Sequence, residues 1–123
     1  MLMMAGTVCA APKLHCHIEQ ADTVKELRFS TVSNPYAVAP TDINKRFRFK
    51  AVVVGDETTI QHISLYTYYI TSGQPVLMHE VKYLHPEIQK SSHDKSLTGI
   101  VYLYSPVLGR EMKYDCALRR EEQ

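Results

Sequence analysis

Residues 44–54 read NKRFRFKAVVV, and their alternation decides the fold class. Phe47, Phe49, Ala51 and Val53 fall on one side of a period of two, and Arg46, Arg48 and Lys50 on the other. Successive side chains of a β-strand point to opposite faces, so this spacing describes a strand with one buried and one solvated face. A slip of one residue would expose both phenylalanines, which ties the cations to the accessible face.

Working outward, Gly55-Asp56-Glu57-Thr58 is a turn, so the next strand, TIQHISLYTYYIT (59–71), forms a hairpin with the first. It is apolar on both sides, as suits a central strand covered on both faces. Ser72-Gly73-Gln74-Pro75 turns the chain into VLMHEVKYL (76–84). On the N-terminal side, SNPYAVAPTD (33–42) carries two prolines and reads as a long connection. Before it lie candidate strands at 24–32 (VKELRFSTV, with Leu27 and Phe29 on one side) and 13–20. Residues 85–99 form the longest loop, and GIVYLYSP (99–106) and MKYDCALRR (112–120) close the domain.

About seven strands, with no helix and no repeat, predict an all-β chain. The expected architecture is a single antiparallel β-sandwich, immunoglobulin-like in layout, or a small barrel. Tyr114 stands two residues before Cys116, the spacing of a tyrosine corner in immunoglobulin-like domains. The likeness stops there, because the cysteines are too far apart and the chain has no Trp. The sandwich is therefore read from strand count, and no family is assigned.

Met1 to Pro12 pass without a charge. An apolar stretch followed by Val8-Cys9-Ala10 has the pattern of a secretory leader and its small-residue cleavage site, though a basic start is missing. Residues 1–10 are read as the remnant of that leader and 11–123 as one all-β domain. No run approaches the ~20 apolar residues of a membrane-spanning helix, so no membrane insertion is expected after leader removal. The expected location is periplasmic or secreted. Of three cysteines, Cys9 would leave with the leader. Cys16 and Cys116 remain, each at an inward position of an alternating stretch, and in an exported chain they read as a disulfide.

The formal charge is +1, which gives no global field to attract nucleic acid. There is no G-x-S-x-G elbow and no Gly-rich phosphate loop, and the adjacent residues of SSHDK (91–95) cannot form a triad by themselves. No catalytic residues and no cofactor are assigned, and the chain is not read as an enzyme. Three groups are candidates for binding. Tyr66 and Tyr68 share a face, as do Tyr102 and Tyr104, and neighbouring strands would join all four in an aromatic ladder. Arg46, Arg48 and Lys50 form a basic stripe able to meet an anionic ligand or an acidic partner, or simply to solvate an edge. His15 and His17 share a face, and His62 and His79 lie on consecutive strands that would allow pairing across the sheet. These histidines would suit copper, although surface histidines without a metal are the plainer reading.

The function expected is a small exported non-enzymatic module that binds a protein or glycan partner. The alternatives are a periplasmic copper-binding protein and a surface or pilus accessory subunit. Against the last, the chain ends LRREEQ, which is not an alternating apolar donor strand.

Overall fold

Among the described residues, three tight hairpins join the longest pairs of consecutive strands. In the turn joining the strands Phe47–Gly55 and Ile60–Thr71, the Asp56 carboxylate accepts from the backbone N–H of Thr58 and Thr59 and from the Thr58 hydroxyl. Those bonds favour the charged form and lower the Asp56 pKa to about 2. Gly55 is required here, since a Cβ would lie 2.5 Å from the Thr59 carbonyl oxygen. Ser72 and Gly73, both at positive φ, close the second hairpin in the manner of a two-residue turn matched to strand twist. Ala21, also at positive φ, helps close the third.

The computed structural model describes residues 11–90, 95–106 and 108–120. The expected leader (1–10) and residues 91–94 of the SSHDK segment lie outside the described residues. The strands are β1 (Pro12–Gln20), β2 (Thr23–Val32), β3 (Thr41–Ile43), β4 (Phe47–Gly55), β5 (Ile60–Thr71), β6 (Gln74–Leu84), β7 (Val101–Tyr104) and β8 (Glu111–Arg120). One short 3-10 turn, Pro35–Ala37, interrupts the connection after β2. The protein is all-β, as its alternation predicts.

The strands follow the order β6-β5-β4-β2-β1-β8-β7, with β3 also paired to β4, and the sheet curls into a half-barrel. Among the described residues the strands number eight, in keeping with the expected seven or so, because the proline-bearing connection ends in the three-residue β3, antiparallel to Phe47–Phe49. One detail departs from the expected antiparallel arrangement: the sheet is mixed, because β2 runs parallel to β4 at Thr31↔Val53 and Val32↔Val54. One edge of β4 is thus shared, with β2 at its end and β3 at its start. The connection 33–40 has to travel back along that edge, and Pro35 and Pro40 have no N–H to leave unsatisfied there.

Curling brings two inner faces together. Leu14, Cys16 and Ile18 of β1 and Met112, Tyr114, Cys116 and Leu118 of β8 form one wall. Phe47, Phe49, Ala51 and Val53 of β4 with Ile63, Leu65 and Tyr69 of β5 form the other. The inward face of residues 44–54 is therefore buried as the alternation requires. Arg46, Arg48 and Lys50 are half-buried rather than fully accessible, and Val52 on the same outer side is buried.

Cys16 and Cys116 are bonded, directly opposite each other on neighbouring strands β1 and β8, with Cα atoms 4.1 Å apart. The bridge joins the first described strand to the last within one face of the sheet. It does not cross from one sheet to another, as the conserved bridge of immunoglobulin domains does. Tyr114 does not form a tyrosine corner either, because its buried hydroxyl has no hydrogen-bond partner among the described residues. Burial pushes that phenol well above its ordinary value.

Candidate functional site

The β4–β5 hairpin register sets Arg48 opposite Tyr68 and Lys50 opposite Tyr66 on the outer face. The Lys50 Nζ lies 4.5 Å from the Tyr66 ring centroid and 6.0 Å from that of Tyr68. Such a cation over aromatic rings contributes about 0.5–1 kcal/mol at an exposed site and holds both partners in place. The basic stripe and the first tyrosine pair are therefore one surface. On β6, Glu80 stands opposite Tyr66 and extends the row. Arg46 is only marginal to it. It precedes β4 in the turn, where its carbonyl accepts from the Ile70 N–H at 2.9 Å.

Tyr102 and Tyr104 lie elsewhere. They sit on β7 opposite Lys113 and Glu111 of β8, at the far end of the strand order from β5. The ladder of four tyrosines is not formed, because β5 bonds to β4 and β6 while β7 bonds to β8. Tyr102 and Tyr104 are 52% and 60% exposed.

A second polar surface covers the outer side of β1, β2 and β8. His15 and His17 share it while Cys16 points into the core, as period two demands. Pairing sets His17 between Glu26 of β2 and Asp115 of β8, and Glu19 beside Lys113. The His17 ring engages Glu26 through Nδ1 and Glu19 through Nε2, the latter at 3.0 Å. The Lys113 ammonium donates to the other Glu19 oxygen at 2.7 Å. Ser96 donates to Asp115, and these two groups with His15, His17, Glu26 and Arg119 line a shallow hollow of about 210 Å³.

The two nitrogens of His17 face different carboxylates on opposite sides of the ring, so these groups do not converge on a common point. Among the described residues no three metal-ligating side chains do so. His62 and His79 do not pair across the sheet. His62 stands opposite Leu84 and His79 opposite Thr67, which separates them by about five strand positions, or ~16 Å. The copper reading is left without a converging donor set among the described residues.

The hydrogen bond to Glu19, then that to Glu26, raises the His17 pKa, with burial opposing. Lys113 and then His17 lower that of Glu19. The shared face of His15 and His17 is legible in the sequence, but nothing there singles out Glu19, and the partners on β2 and β8 depend on strand register. A pH dependence results. The His17 contribution is complete below its free value of 6.5 and is lost as pH rises through the higher folded value. That of Glu19 is present above 4.5 and is lost as pH falls through its lowered folded value. Urea unfolding should show a larger deficit of His17→Gln against the parent at pH 6 than at pH 8. An equal deficit at both would mean the ring carries no charge in this cluster.

Comparison of the chain with protein families, with curated proteins and with solved structures finds no match.

Proposed function

We propose that this protein is a non-enzymatic binding module of an oxidising, exported compartment (periplasmic or secreted), and that it engages an acidic protein or glycan partner through the outer face of β4 and β5. The observation that carries the reading is Lys50 held over Tyr66, with Arg48 and Tyr68 alongside. A cation and aromatic rings fixed before binding lose little conformational freedom when a partner arrives. Tyrosine adds large rigid contact area with a polar tip, and the lysine and arginine favour an anionic complement. The disulfide supports the compartment, because such bonds persist where thiols are not kept reduced. No helix among the described residues is long and apolar enough to cross a membrane.

The test is capture from periplasmic extract and on an acidic-glycan array, with the parent protein and with Lys50→Glu. Charge reversal on the half-exposed lysine should abolish a salt-sensitive interaction that the parent shows. An identical set of ligands for both proteins would remove this face from consideration.

A further inference from the structure

The sheet has two ends, β6 and β7, and they differ. β7 offers four residues, whereas β6 runs for eleven and, among the described residues, no strand pairs with its outer edge. Long unpaired edges present free N–H and C=O groups to any chain that can match them. Along its length β6 also exposes Val76, Leu77 and Leu84, at 52%, 47% and 70%.

The ladder to β5 shows which groups are free. The His85 N–H donates to the Gln61 carbonyl at 2.8 Å, so the bonded pairs of this register continue at Tyr83, Val81 and His79. The intervening residues Leu84, Lys82 and Glu80 therefore aim their backbone N–H and C=O outward. Beyond His79 a bulge breaks the register at Thr67/Tyr68, and Pro75 has no N–H. The edge available for pairing is thus short and sharply bounded.

We propose that this edge pairs with the same edge of a second copy, antiparallel, about a two-fold axis at Val81. Outward groups must meet outward groups, and three of the registers that satisfy this are centred within the charged segment Glu80–Lys82. Centring on Glu80 sets carboxylate against carboxylate, and centring on Lys82 sets ammonium against ammonium. Centring on Val81 sets Glu80 of each copy opposite Lys82 of the other. Each such pair exchanges two backbone hydrogen bonds and places opposite charges side by side on one face. The pairing that favours dimerisation is therefore also the one the charges select. Glu80 and Lys82 are exposed in the monomer and face Tyr66 and Ser64 of β5. The pairing would continue the outer face bearing Lys50, Tyr66 and Tyr68 across both copies and present it twice.

The inference does not rest on the proposed binding function, and its test requires no partner. Sedimentation of the oxidised full chain, at concentrations up to about 0.5 mM as suits a small interface, should show reversible doubling of mass. Glu80→Lys or Lys82→Glu alone turns both symmetry-related pairs repulsive and should weaken association by about tenfold or more. The double variant Glu80→Lys/Lys82→Glu should restore it, and so should mixing the two single variants. Far-UV circular dichroism should be unchanged in every case, since both side chains are exposed. A parent protein that stays monomeric throughout overturns the proposal. So does a dimer indifferent to single reversals, or one that the double variant fails to restore.

Discussion

Reducing the Cys16–Cys116 bridge should cost about 4–5 kcal/mol and move the urea midpoint down sharply while leaving the strand content intact. The bridge closes a loop with a sequence separation of 100, and in the chain-entropy model a loop of that size accounts for this figure through the unfolded state. A domain of this size has only about 5–15 kcal/mol in hand, so the loss is a large share of the whole. The folded side should change little. The two strands are already held in register from Pro12↔Arg120 to Glu19↔Lys113, and both sulfurs are packed in the core. Because the effect acts on the unfolded chain, the dependence on urea should steepen when the link is opened, as the denatured state expands. Peptide mapping of unreduced protein should recover Cys16 and Cys116 in one linked fragment. Recovery of both as free thiols would defeat the assignment, and a midpoint unmoved by reduction would defeat the energetic argument.

What could be read in the chain, and what could not, follows from the range of each interaction. The inward set Phe47, Phe49, Ala51 and Val53 needs only the period of a strand, and the hairpin turns at 55–58 and 72–75 are local in the same way. The cysteine pair was legible because both residues sit at inward positions of terminal strands. Its placement within one face of the sheet was not, since that depends on β1 lying next to β8. Registers between distant strands are set by the packing of the whole core and leave no local mark. Hence nothing local marks Glu26, Asp115 and Lys113 as companions of His17 and Glu19, and the consecutive strands that would allow His62 and His79 to pair set them apart instead. Tyr66 and Lys50 sit on consecutive strands, yet their contact depends on a register the turn alone does not state. The parallel step from β2 to β4 is the most hidden feature, since it arises where a connection folds back rather than from any pattern of residues.

Phe49→Ala should cost about 3–5 kcal/mol, whereas Arg48→Ala, one residue earlier on the other face, should stay within about 0.5 kcal/mol. Phe49 is fully buried, with its ring centroid 6.1 Å from that of Phe29 on β2 and 5.0 Å from that of Tyr114 on β8. One side chain thus ties β4 to its sheet neighbour β2 and to β8 of the opposing wall, which the curl of the sheet brings within reach. Each tilted aromatic contact adds about 0.5–1.5 kcal/mol to the area that the ring removes from water. Truncation removes both contacts and leaves a cavity that rigid β-strands on either side cannot collapse to fill. Phe49→Leu keeps most of the volume and should lose distinctly less, mainly the ring contacts. Arg48 is half-exposed and lies opposite Tyr68, so its removal takes away surface packing and leaves no void. Unfolding in urea of the oxidised protein, followed by far-UV circular dichroism because the chain has no Trp, gives the three values on one scale. Similar losses for Phe49→Ala and Arg48→Ala would mean that the alternation of residues 44–54 does not separate a core face from a surface face.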